Sequence, residues 1–293
     1  MKDILQKVKR LEVKVRRLVN SNFAGEYRSA FKGTGLEFEE VRAYQVGDDV
    51  RFIDWNVSAK MNNLYIKVFR EERELNLFVI LDVSGSNYFG EGENQKLRIG
   101  MEIAAILGYC TLANNDKFGL LACSDQVERY FKPGKGRKRL LSIIDSLVQL
   151  SNKSLQTNLR LGLEHFRRAQ KRRAVLFVIS DFLDQDYENS LRALAPKHDV
   201  VLIRLFHPQE ALGSFSGIIP IVDLESGATV WVHQTGDLTA RQSVEDRFQN
   251  IHSHLSDLAT QCRMGYINLN VTEDYMPLLE KFFVSRIHAQ VSH

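Results

Sequence analysis

Cysteine is scarce in this 293-residue chain: only Cys110, Cys123 and Cys262 occur, and none forms a CxxC pair. That argues against a disulfide framework and against a cysteine-held zinc site, and leaves the three as small core residues. No apolar run approaches the ~20 residues that a membrane crossing needs, and no signal peptide is visible, so a cytoplasmic location is expected. The formal net charge of +3 is too small to argue for nucleic acid. A GxxxxGK[ST] loop is missing, so any ATP hydrolysis linked to this protein must come from another chain. No GxSxG elbow surrounds a serine either, which removes the usual setting for a nucleophilic one. What remains is an ordinary globular composition, 44% hydrophobic and 26% charged. The length suits one large α/β domain plus an accessory segment, or two small domains.

Charge is unevenly spread. Residues 1–20 hold Lys2, Lys7, Lys9, Arg10, Lys14, Arg16 and Arg17 against Asp3 and Glu12, a local +5. Leu5, Val8, Leu11, Val15 and Leu18 recur at helical spacing, so a basic amphipathic helix is expected over 1–22. It either docks on its own domain or faces a partner or anionic lipid; any membrane contact is expected through this helix alone. Residues 23–73 are polar and broken by glycine, and read as a β-rich or irregular accessory segment. Asp49, Arg51, Asp54 and Arg73 are candidates for an ion-pair network that fastens it to the main sheet. From 74 to 293 strands and helices alternate, the pattern of a parallel sheet with helices on both faces. A hairpin is expected near 219–233, where two apolar runs flank Glu225-Ser226-Gly227.

The most informative residues are Asp82, Ser84 and Ser86. They follow the apolar run Leu77–Leu81 as DxSxS and put one carboxylate and two hydroxyls just past a buried strand. Thr157 opens a helix-like stretch, and Asp181 closes a second apolar run, Ala174–Ser180. In open α/β sheets ligands bind outside the carboxyl ends of the strands, so the topology would gather these residues. Hard oxygen donors of this kind suit Mg²⁺ or Mn²⁺.

The ordered set DxSxS, Thr and Asp resembles the metal-ion-dependent adhesion site of von Willebrand factor A domains, and residues 75–287 resemble that fold. A broader similarity runs through Phe31–Phe38, Tyr44–Trp55 with GDDVRFIDW, Glu72-Arg73-Glu74, Asp82–Ser86, His207-Pro208-Gln209-Glu210 and Val271–Arg286. It is to the bacterial family called domain of unknown function 58. Asn87 departs from the Met that is usual there, and is not expected to be a ligand. The resemblance implies an adaptor or co-chaperone working beside AAA+ ATPases of the MoxR type. On the same residues Ser84 and Ser86 are expected to ligate the ion directly, Asp82, Thr157 and Asp181 to bind it directly or through water, and a partner's Asp or Glu carboxylate to complete the site.

Three readings compete. A Mg²⁺-dependent hydrolase or phosphoryl-transfer enzyme would place a nucleophilic Asp here, but such enzymes use DxDx[TV], and Ser84 stands at the second carboxylate's position. The motif also lacks a base, so no catalysis is expected. A metal-free interaction scaffold is the third, since Ser and Asp often merely cap helices and turns. His252 and His254 read as surface residues, and the basic clusters at 132–139 and 167–173 as solvated helix ends. Glu210, just past the strand ending at Phe206, is a candidate for a role near the site.

Overall fold

The computed structural model describes residues 21–31, 36–71, 74–90, 92, 95–150, 156–211, 217–222, 229–234 and 238–291. The chain runs through α1 (Ser21–Phe31), β1 (Leu36–Ala43), α2 (Trp55–Met61), β2 (Tyr65–Glu71), β3 (Asn76–Asp82) and α3 (Lys96–Ala113). It continues with β4 (Lys117–Cys123), β5 (Val127–Gly134), α4 (Arg137–Val148), α5 (Leu159–Ala169), β6 (Val175–Ser180), α6 (Glu188–Leu194) and β7 (Asp199–Phe206). A short α7 (Pro208–Ala211), β8 (Gly217–Val222), β9 (Thr229–Gln234), α8 (Leu238–Gln261), β10 (Gly265–Asn270) and α9 (Met276–Val291) complete it. Two compact units result, Lys32–Leu75 and the rest of the chain.

In the larger unit the sheet order is β10-β7-β6-β3-β4-β5, with every pairing parallel except that of edge strand β5. Both faces are covered, which is why β3, β6 and β7 read as continuous apolar runs rather than alternating ones. Leu77 to Leu81 are all fully buried, each contributing about 1.5–3 kcal/mol of hydrophobic stabilisation. Phe78, Ile80, Leu176 and Val178 face a layer built from α5, α6 and α8. The opposite face lies under α3, with α1 beside it. Phe31 meets Phe177 at 5.5 Å, and Phe23 meets Phe283 of α9 at 5.3 Å. This is the α/β architecture expected for 74–293. Cys110 and Cys123 are buried in it, and burial pushes both thiols up, away from reactivity.

Gly162 lets α5 lie close on β4. A Cβ there would stand 2.6 Å from Cys123 Sγ, so only glycine permits the approach that brings the start of α5 to the sheet's carboxyl edge.

The accessory segment differs from expectation at its start. Residues 21–31 are helical and belong to the α/β unit, because Phe23, Tyr27 and Phe31 recur at i, i+4, i+8 and are buried there. The smaller unit therefore begins at Lys32, not at 23, and ends at Leu75 rather than 73. Within it β1 and β2 pair antiparallel from Leu36↔Glu71 to Ala43↔Tyr65. Asp54 caps α2 by accepting from Asn56 N and Val57 N, and Asn62, in the left-handed region at φ 54°, ends it. The ion pairs here are local ones: Arg51 with Asp49 at 2.6 Å, Arg42 with Asp48 at 2.7 Å, and Lys67 with Asp54 at 3.5 Å. Among the described residues these pairs join sequence or strand neighbours; the expected network includes Arg73, which lies outside the described residues.

The basic stretch of residues 1–20 is also outside them. Strands β8 and β9 pair antiparallel from Gly217↔Gln234 to Val222↔Thr229, as the hairpin requires. Its turn residues Glu225, Ser226 and Gly227 are outside the described residues. No described helix is long and apolar enough to cross a membrane.

Candidate cation site at the carboxyl edge of the sheet

Strand β3 pairs with β4 on one side and β6 on the other, so the chain reverses its direction of winding between β3 and β6. That crevice, at the carboxyl ends, is where open α/β sheets bind ligands. Asp82 ends β3 opposite Cys123 of β4, and Leu81 lies opposite Ile179 of β6. Asp82 and Asp181 consequently sit at one level of one edge, and both are buried.

The DxSxS segment folds on itself. Ser84 N donates to Asp82 Oδ1 at 3.0 Å, and Ser180 Oγ donates to Asp82 Oδ2 at 2.6 Å. The hydroxyls of Ser84 and Ser86 stand 3.2 Å apart, on a single turn of 3-10 helix from Gly85 to Tyr88. Asn87 Nδ2 donates to Ser84 Oγ at 3.3 Å, while its buried Oδ1 has no hydrogen-bond partner. A buried carbonyl oxygen left in this state, beside two converging hydroxyls, is an unmet demand for a hydrogen-bond donor.

Thr157 is half-buried at the same edge. Its neighbour Asn158 donates its backbone N–H to Ser124 O at 3.1 Å, just past β4, and caps α5 by accepting from Leu161 N. Leu159 N donates to Asp184 Oδ2 at 2.7 Å, tying the start of α5 to the loop after β6.

Asp181 is differently engaged. Its Oδ1 accepts from Leu183 N at 3.2 Å, and its Oδ2 accepts from Lys96 Nζ at 2.8 Å. Lys96 opens α3, has a fully buried side chain, and also donates to Glu210 Oε1 at 2.5 Å. Glu210 Oε2 accepts from His207 N at 3.0 Å. Burial pulls the Lys96 ammonium toward losing its proton, but Asp181 and Glu210 more than reverse this, and its pKa is raised overall. For Asp82, burial acts first and the charge of Asp181 second. Together they push the carboxyl up to about 6 despite the bonds from Ser180 and Ser84.

The carboxylates of Asp82 and Asp181 and the hydroxyls of Ser84 and Ser86 give this edge a set of hard oxygen donors, in keeping with a hard divalent cation. Among the described residues no three His, Cys, Asp or Glu side chains are arranged to hold a metal by themselves, so an ion here would depend on the hydroxyls.

Comparison with known proteins gives the chain its family. The profile described as "Protein of unknown function DUF58" matches residues 40–253. The chain belongs to the DUF58 family. An uncharacterized protein of Mycobacterium tuberculosis is 24% identical over 283 residues, covering 94% of this chain and 87% of that protein. Among solved structures, the conserved hypothetical protein BatB from Bacteroides thetaiotaomicron is similar at a TM-score of 0.46 and 12% identity, covering 73% of this chain and 99% of that one. A von Willebrand factor type A structure from Catenulispora acidiphila aligns at a TM-score of 0.38 and 11% identity, over 76% of this chain and 43% of that one.

In this DUF58 protein the structure links Asp82, Ser84 and Ser86 in one hydrogen-bond set and brings Asp181 to the same crevice. It places Thr157 at the same edge. Sequence reasoning missed Lys96. A lysine in the first turn of a helix ordinarily reads as solvated, and its partners lie 85 and 114 residues away. Ser180 was also missed. Its only signal was position, one residue before the strand-end Asp181.

Proposed function

We propose that this DUF58 protein is a divalent-cation-dependent protein-interaction module and not an enzyme. Mg²⁺ or Mn²⁺ would be held by the hydroxyls of Ser84, Ser86 and Thr157, with Asp82 and Asp181 supplying negative charge directly or through water. The observation that carries this reading is the convergence of Ser84 Oγ and Ser86 Oγ over a buried Asp82 at the β3/β6 reversal. An ion held largely by neutral hydroxyls keeps much of its charge and so attracts an external carboxylate. The chemical class of partner is therefore a protein surface presenting Asp or Glu. A MoxR-type AAA+ ATPase, with this chain as adaptor or co-chaperone, is supported by the family resemblance and by the lack of a phosphate-cradling loop here.

Titration calorimetry with Mg²⁺ and Mn²⁺ tests the reading, wild type against Asp82→Ala. Binding that disappears in the variant is the expected result. Equal heats from both proteins would place the ion elsewhere, and no heat from either would leave the surface to act without metal.

A further inference from the structure

The charges at this edge do not balance. Asp82, Asp181 and Glu210 supply three negative groups against the one positive group of Lys96, and Asp184 and Glu128 add negative charge at the same edge, leaving a largely buried excess of negative charge. Both oxygens of Asp181 are already engaged, one by the Leu183 amide and one by the Lys96 ammonium. The ammonium is itself locked. It is fully buried and shared with Glu210, and its residue's backbone N–H is bonded to Phe89 O at 3.1 Å, in the loop that follows DxSxS.

We infer that Lys96 is a resident cation of this site, which keeps Asp181 out of the metal's inner coordination sphere and, with Glu210, tunes the negative excess that a divalent ion meets. The inference rests on the cation-binding reading above and deepens it. Two residues outside the DxSxS–Thr–Asp set, Lys96 and Glu210, become its charge-setting pair. They act on the ion through Asp181 and are positioning residues, not ligands. The arrangement explains why so few anionic ligands are needed. Ser84, Ser86 and Thr157 meet the ion, while the carboxylates behind them set the field. It also gives the turn from β7 into α7 a stake in the ion. Glu210 is carried there, bonded to the backbone N–H of His207.

Charge tuning makes a prediction that a packing role would not. Removing the ammonium makes the cluster more negative, and removing the Glu210 charge makes it less so. The two substitutions must therefore move metal affinity in opposite directions.

Calorimetry of the full chain with Mn²⁺, comparing wild type, Lys96→Met, Glu210→Gln and Asp82→Ala, is the test. Lys96→Met is expected to bind Mn²⁺ about tenfold more tightly than wild type or better, and Glu210→Gln about tenfold more weakly. If both variants weaken binding, or neither changes it, the inference is overturned. Metal binding that still vanishes in Asp82→Ala would then leave the proposed function standing. Absence of Mn²⁺ binding in every protein overturns both. Should Lys96→Met fail to fold without Mn²⁺, Glu210→Gln decides alone: weaker binding is expected, and unchanged or tighter binding overturns the inference. The Lys96 Nζ resonance offers a reading that needs no variant. In the wild type it is expected to stay protected from solvent exchange at saturating Mg²⁺, and its loss would mean that the metal displaces the ammonium, against the inference.

Discussion

The two units of this chain use charge in opposite ways. In the Lys32–Leu75 unit the paired groups are close in sequence or on adjacent strands and lie at the surface: Arg51 with Asp49, Arg42 with Asp48, Asp54 capping its own helix. Several apolar side chains there stand outside, with Val46, Val50, Trp55, Met61 and Leu64 all exposed. In the α/β unit the relation is inverted. Lys96, Asp181, Asp82 and Glu102 are buried, and their partners come from distant parts of the chain. Tyr275, for example, donates to Glu102 at 2.7 Å across 173 residues. Surface pairs form because their neighbours are already near, and solvent screens most of what they gain. Buried charges cost several kcal/mol to desolvate and persist only where the fold supplies complete partners. Charge in the small unit decorates a local shape, whereas charge in the large unit is held by partners that only the completed sheet and its helices bring together.

Breaking the buried arrangement should have the largest effect. Lys96→Met, without added metal, leaves Asp181 and Glu210 buried and uncompensated, and should cost about 3–5 kcal/mol in urea unfolding. A loss below about 1 kcal/mol would show that water reaches the cluster. Next comes the close approach that sets the start of α5. Gly162→Ala pushes a methyl onto Cys123 Sγ and should cost about 1–3 kcal/mol. Adding Cys123→Ala should recover part of that loss, and strictly additive effects would mean that the contact is not the cause.

The third change should stabilise. Asp82 holds its proton up to about pH 6 when folded, against 3.8 for the ordinary group, so the folded chain binds more protons than the unfolded one between those values. Its ionisation therefore costs stability above pH 6 and nothing below about pH 4. Asp82→Asn should gain about 1–2 kcal/mol at pH 7.5 in metal-free buffer, with the difference closing by pH 4. A gain that persists unchanged at pH 4 would assign it to packing instead. Saturating Mg²⁺ should reverse the ranking, because the wild type alone would gain from the ion. The smallest effect belongs to the small unit. Arg51→Ala should leave the thermal midpoint where it was, and a clear drop would show that its surface pairs do more than decorate.

Most of the α/β unit was legible because strands buried on both faces write themselves as unbroken apolar runs. Leu77–Leu81 and Val175–Ile179 did so, and the polar residues that end them, Asp82 and Asp181, stood out by contrast. The hairpin β8–β9 was legible from two apolar runs flanking turn residues. Helix α1 was not, because Gly25 and the polar residues between Phe23, Tyr27 and Phe31 obscured an aromatic stripe whose partners, Phe177 and Phe283, lie far along the chain. Lys96 was illegible for the same reason in stronger form. Nothing within a helix turn of it differs from a solvated lysine, and its burial is decided by β6 and α7. Local pattern reveals elements, and only the sheet's winding reveals which charges meet.

The aromatic stripe of α1 also bears on the order of refolding. Phe23, Tyr27 and Phe31 meet Phe283 of α9, and Phe31 also meets Phe177 of β6, all far away along the chain. Contacts of such sequence separation carry the cost of closing long loops before they repay it. Docking of α1 and α9 on each other and on the sheet is therefore expected among the slower steps, after the strands that lie between them in sequence have paired.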